Sequence, residues 1–257
     1  ENVIHLVLAR IDGAPEGVRG ISLFLVPKFI LDENGEPGER NDVWATSVEH
    51  KLGIHGSPTC VMNFGDNEGA VGYLVGEENK GLPAMFTMMN QARVEVGLQG
   101  VAISERAYQQ AVEYANDRVQ GRVFGQEGRS PIVAHADVRR MLMLMRSQNE
   151  AMRALAYSSA SLVDVSQHGA SDDARKAADK RLSLLTPIVK GWITETAQET
   201  TSLGVQVHGG MGYVEETGAA QHYREARILT IYEGTTSIQA TDFVGRKILA
   251  DEGTEIG

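Results

Sequence analysis

Over the first third of the chain, short apolar runs alternate with turn residues, and from residue 82 onward apolar positions recur three and four apart. The first pattern reads as strands at residues 3–9, 21–26, 47–52, 59–64 and 71–75, broken by Gly13-Ala14-Pro15 and by Gly17. The polar stretch 27–44 reads as a loop or excursion, with Asn34-Gly35 suited to a tight turn at positive φ. About five strands are too few, and too open at their edges, to make a self-sufficient sheet. With an apolar run following Glu1 directly and no initiator Met, the expectation is a fragment whose first strands are missing.

The helical period begins at Leu82, Met85, Phe86 and Met89 and continues through Val96, Val101 and Tyr108 to about Arg118. Gly97, Gly100 and Ala102 inside that helix would admit a close neighbour, offsetting their weak propensity. A second helix from Asp137 carries Val138, Met141, Leu142, Met145, Met152 and Leu155 on one stripe, a Met-rich face read as core. A third, capped by Asp172, carries Leu182, Leu185, Ile188, Val189, Trp192 and Ile193, with a kink expected at Pro187. A shorter helix after Thr235 carries Ile238, Val244 and Ile248. Four helices with short connections make an up-and-down bundle. The predicted fold class is α+β, a partial antiparallel β domain (residues 1–78) followed by a four-helix bundle (79–250) and a tail (251–257).

Composition narrows the function classes. The chain has 257 residues, is 42% hydrophobic and carries a formal charge of −10. That is enough to bury a sizeable core, and the acidic balance opposes a nucleic-acid face. Cys60, the single cysteine, reads as a small apolar residue in a strand and fits a reducing, cytoplasmic setting. No apolar run reaches 18 residues, so no membrane span is expected. The seven histidines lack metal-ligand spacing, so no metal site is expected.

Chemistry concentrates in residues 226–239. An apolar segment ends in the lone carboxylate of Glu233, then Gly234 frees the backbone and Thr235-Thr236-Ser237 suits a helix cap. Between Ile231, Tyr232 and Ile238 the carboxylate would be part-desolvated and could act as a base near neutral pH. The other reading is a helix N-terminal carboxylate stabilised by the dipole. No Gly-x-Gly-x-x-Gly follows a strand, so a dinucleotide would not sit in a Rossmann fold.

Ile231-Tyr232-Glu233-Gly234-Thr235 resembles the segment bearing the catalytic base of acyl-CoA dehydrogenases. Gln206-Val207-His208-Gly209-Gly210-Met211-Gly212-Tyr213 resembles that family's flavin-contacting motif, in the right order and separation. The resemblance runs from the first residue to about Leu249. It implies FAD-dependent α,β-dehydrogenation of an acyl-CoA thioester to a trans-2-enoyl-CoA, with Glu233 as base and hydride passing to flavin N5. The Glu233 N–H, together with a flavin hydroxyl, would polarise the thioester carbonyl, and Tyr232, Gly234 and Arg93 would contact substrate or CoA. Some family members place the base just before the Arg matching Arg93; here that position is Ala92, with Glu95 nearby as a minor rival.

Flavin contacts are implied at three places. Around Arg118-Val119-Gln120-Gly121-Arg122-Val123-Phe124-Gly125-Gln126 the chain resembles an Arg-x-x-Phe-Gly segment that reaches the pyrophosphate of an FAD bound mainly to a neighbouring subunit. Gly121 stands where the Arg is expected, so the role falls to Arg118 or Arg122, with Phe124 and Gln126 beside them. Gln206, Gly209 and Gly210 form the second place; without the resemblance they are an interhelical turn. Thr235 is the third, while Ser237 replaces a Gln common in the family. Asn41-Asp42-Val43-Trp44, the 48–55 stretch and the expanded 118–124 segment resemble the larger bacterial subgroup that includes 3-methylmercaptopropionyl-CoA dehydrogenase. The resemblance further implies a homodimer or homotetramer with a shared flavin site, and electron-transfer flavoprotein as electron acceptor. Two alternatives stand: an acyl-CoA oxidase, or a flavin-free fragment serving subunit association.

Overall fold

The computed structural model describes residues 2–125 and 127–249; Gln126 and the 251–257 tail of the sequence reading lie outside them. The described chain forms two compact units, divided between Met89 and Asn90.

The first unit is antiparallel β. Strands β1 (Ile4–Arg10), β2 (Ile21–Pro27) and β7 (Tyr73–Val75) form one sheet in the order β1-β2-β7. Strands β3 (Phe29–Leu31) and β4 (Pro37–Arg40) make a hairpin, and β5 (Val43–Val48) pairs with β6 (Cys60–Phe64). Two expectations are corrected. Residues 27–44 are not a loop: Asp32 Oδ1 accepts from the N–H groups of Asn34 and Glu36 at 2.8 and 2.9 Å, Gly35 takes φ +81°, and the turn folds a hairpin there. The strand placed at 47–52 instead runs Val43–Val48, because pairing of Val43 with Phe64 and Trp44 with Asn63 fixes its register.

The second unit is a helical bundle. Helix α1 spans Gly81–Asp117, α2 Ala136–His168 and α3 Asp172–His208; the short α4, Ala219–Ala226, and α5, Thr236–Thr241, follow, and α5 continues as a π-helical segment, Asp242–Ile248. The cap of α3 is Ser171, whose Oγ accepts from Ala174 N at 3.2 Å, and the expected cap, Asp172, sits in the first turn beside it. Helix α3 runs on through Pro187 as one element.

Ala107, Ala111 and Ala115 pack with Met141, Leu142, Met145 and Val207, and Val101 with Met152, Ala156, Val189 and Ile193. Trp192, placed on the buried stripe by its spacing, is 42% exposed. The glycines of α1 permit the contact with α3: a Cβ on Gly97 would lie 2.4 Å from Val189 Cγ1, and one on Gly100 2.9 Å from Ile193 Cγ2. Gly97→Ala is therefore expected to lower stability by about 1–3 kcal/mol from overpacking, against ~1 kcal/mol of gained helix propensity. Thermal melting checks this, and an unchanged or higher midpoint would contradict it.

Helices α1 and α3 run parallel, since residues 97, 100 and 107 of α1 meet residues 189, 193 and 204 of α3 in rising order. Helix α2 and the segment after residue 235 run against them: Val101 clusters with Met152 and Ala156 but Ala107 to Ala115 with Met141 to Met145, while Thr236 bonds Glu195 and Lys247 bonds Ser183. This is the expected up-and-down order, with α4 inserted before the last helix.

Candidate active site

The turn between α4 and α5 is built by two consecutive residues at positive φ, Glu233 at +56° and Gly234 at +92°. Left-handed backbone is ordinary for glycine and costs a β-carbon-bearing residue about 1 kcal/mol or more. Inward-facing donors hold it there. Arg93 Nε donates to the Glu233 carbonyl at 3.2 Å, Lys190 Nζ to the Gly234 carbonyl at 2.6 Å, and Gln239 Nε2 to both at 3.3 and 3.2 Å. A Cβ on Gly234 would come within 2.8 Å of Gln239 Nε2 and displace that amide, and at φ +92° any side chain would be strained.

The donors are themselves fixed. Arg93 is 5% exposed and pairs with Asp242 at 3.7 Å, and Asp242, 6% exposed, also takes Arg246 at 3.2 Å. Thr235 caps α5, its Oγ1 accepting from Ile238 N at 3.4 Å, and Thr236 Oγ1 donates to Glu195 at 2.5 Å. Tyr232 is half-buried and its hydroxyl donates to Gln99 of α1. Burial, then the negative charge of Glu233, raise the Tyr232 phenol above its ordinary value. Glu233 is only partly exposed, and among the described residues neither its carboxylate nor its N–H has a hydrogen-bond partner. Glu95 is exposed on α1 and paired with Gln91 at 3.0 Å.

The remaining sequence candidates gather elsewhere, at the end of the bundle where α1 and α3 both finish. Tyr114 stacks on His208 with ring centroids 4.5 Å apart, joining the two helix ends. His208 is satisfied there by the Gly204 carbonyl at 2.7 Å. Gly209 follows at φ +60° and its N–H donates to the Gln206 carbonyl. A Cβ on Gly209 or Gly210 would project into open space, whereas one on Gly212 would meet the Val205 carbonyl at 2.3 Å. The motif thus divides into two open glycines beside exposed Gln206 and one structural glycine. Beyond the end of α1, residues 118–121 and 130–132 close a backbone-paired loop that carries Arg118, Arg122 and Phe124 in solvent. Ser237 is exposed on α5.

The structure therefore brings together Arg93, Tyr232, Glu233, Gly234 and Thr235, and leaves Arg118, Arg122 and Phe124 beyond the end of α1 and Gln206, Gly209 and Gly210 at the end of α3, two helix ends joined by the Tyr114–His208 stack. From Lys190, beside the turn, to Gly209 is about 28 Å along α3 at the helical rise. Sequence reasoning missed Lys190, Gln239 and Asp242. A lysine on the buried stripe of Thr186, Val189, Ile193 and Ala197 was the available signal for the first.

Antiparallel strands followed in the chain by an up-and-down helical bundle define the class of protein as the C-terminal part of an acyl-CoA dehydrogenase. Residues 79–249 match the family described as "Acyl-CoA dehydrogenase, C-terminal domain", and the chain belongs to that family. Its sequence is 56% identical over 255 residues to the 3-methylmercaptopropionyl-CoA dehydrogenase of Ruegeria pomeroyi, covering 98% of this chain and 43% of that protein. It is 40% identical over 261 residues to a butyryl-CoA dehydrogenase of Syntrophomonas wolfei, covering 98% and 43%. The solved acyl-CoA dehydrogenase of Bacillus anthracis, complexed with FAD, matches with a TM-score of 0.78 at 26% identity, covering 97% of this chain and 40% of that one. The chain spans less than half the length of the curated relatives it matches.

Proposed function

We propose that a protein carrying this chain is an acyl-CoA dehydrogenase that converts an acyl-CoA thioester to the trans-2-enoyl-CoA, with Glu233 as the base. The observation that carries this reading is the state of Glu233: its carbonyl is held inward by Arg93 and Gln239, while its carboxylate and N–H have no hydrogen-bond partner among the described residues. The carboxylate accepts the α-proton of the thioester. The N–H donates to the thioester oxygen, where negative charge grows as the proton leaves, and a donor already in place costs no reorganisation at that moment. Tyr232 lines the approach, Gly234 leaves room beside the reacting carbons, and Arg93 acts through the turn that it holds.

The family's FAD fits the second cluster of residues. The open space over Gly209 and Gly210 lets backbone approach a cofactor closely, and Arg118 or Arg122, both exposed, suits a diphosphate. When bound, FAD supplies the acceptor for the β-hydride. Thr235 would reach the flavin phosphates with Oγ1, shared with its capping bond; Ser237 and Gln126 complete the proposed contacts.

The run of about 28 Å along α3 from Lys190, which bonds the turn, to the glycine bend supports a homo-oligomer, dimer or tetramer, in which each flavin is held by two chains. The exposed aromatic rings of Phe124 and Tyr213 at that end support the same contact. Electron-transfer flavoprotein is the proposed electron acceptor and the cytoplasm the proposed compartment.

The test is anaerobic. A protein supplying the relatives' full length should purify with bound flavin whose visible absorbance bleaches on adding butyryl-CoA or a longer acyl-CoA. Absence of bleaching across chain lengths would overturn the reading. Faster reoxidation by electron-transfer flavoprotein than by oxygen separates a dehydrogenase from an oxidase.

A further inference from the structure

Lys190 is the bulkiest side chain with no solvent exposure among the described residues. It lies mid-way along α3, and its ammonium points at the turn that carries Glu233. Gln239 already donates to the same Gly234 carbonyl, so that oxygen does not require a charge to be satisfied. Burying an ammonium carries a desolvation cost that a well-packed apolar chain of similar volume avoids.

The contact orients backbone. Peptides here are planar and trans, with no cis bond among the described residues, so a carbonyl drawn inward turns the next N–H the opposite way. Arg93 in this manner aims the Gly234 N–H, and Lys190 the Thr235 N–H, away from the donors that hold the turn. We propose that Lys190 is a positioning residue for the reaction at Glu233, its protonated amine locking the Gly234–Thr235 peptide so that the turn keeps its reactive form. The proposal rests on the dehydrogenase reading above.

The charged groups around the ammonium are Arg93 from α1, Glu195 from α3 itself, Glu233 from the turn, and Asp242 from the segment after α5, which reaches it through Arg93. Burial first and Arg93 second push the Lys190 amine down to about 8, against the pull of Glu195 and Glu233. An unfolded lysine keeps its proton to near 10.5. Between those values the unfolded chain binds more protons than the native one, so Lys190 makes stability rise with pH across that window. Loss of the locking charge makes turnover fall over the same window. Rate and stability thus move in opposite directions, and a falling rate there is not unfolding.

The experiment uses the flavin-loaded protein of the relatives' full length. In Lys190→Met, kcat should fall at least tenfold with KM within threefold, and the melting temperature should equal or exceed that of the wild type. The decline of kcat above about pH 8, set by the buried amine, should disappear, and amide exchange across residues 231–239 should quicken. A variant kcat within twofold of wild type, or an unchanged alkaline decline, overturns the proposal. So does a wild-type kcat that stays flat from neutral pH to well above 8, a result that needs no variant to fold. If Glu233→Gln is inactive while Lys190→Met is not, this inference alone fails; if Glu233→Gln stays active, the dehydrogenase reading fails with it.

Discussion

Glu233→Gln should lose about 10³-fold or more in the rate of flavin bleaching by acyl-CoA, at the upper part of what a positioned base contributes. The amide has the shape of the carboxylate, so the turn, clamped through its backbone by Arg93, Lys190 and Gln239, keeps its form. What is lost is the ability to take up a proton. The Glu233 N–H belongs to the backbone and survives the change, so acyl-CoA affinity should stay within a few-fold. A loss of affinity with an unchanged bleaching rate would assign Glu233 to binding and refute its role as base.

Arg93→Met is expected to cost about 3 kcal/mol or more in stability. It removes one partner of a buried ion pair, and Asp242, 6% exposed, is left with only the outward-reaching Arg246. In a domain of this size that is a fall of roughly 6–12 °C in melting midpoint. The Glu233 carbonyl also loses its charged donor, so turnover should fall even below the new midpoint. Adding Asp242→Asn should restore much of the stability, because the uncompensated charge goes with it, and little of the turnover. Strictly additive effects in this double-mutant cycle would show that Arg93 and Asp242 are not coupled.

The helices and the reactive turn were legible because their signals are local. Period 3.6, the Thr-Thr-Ser run before α5 and a carboxylate before glycine all act within a few residues, and Thr235 does cap α5, whereas at α3 the cap is Ser171 and not the expected Asp172. The strand at 43–48 was misplaced because its limits come from pairing with residues 60–64, which no propensity in the segment encodes. Trp192 shows the opposite failure: its spacing fits the core stripe, but the neighbouring helices do not cover that side of α3. Lys190, Gln239 and Asp242 escaped notice because their partners lie on other elements, and a lysine reads as surface unless something remote encloses it.

A backbone that would prefer no β-carbon nonetheless bears an acid at residue 233. Selection for heat resistance alone, applied to this chain, would favour glycine there and extinguish the chemistry. Thermostable variants drawn from such a screen therefore need a parallel assay of turnover, because in this loop durability and usefulness pull the same codon in different directions.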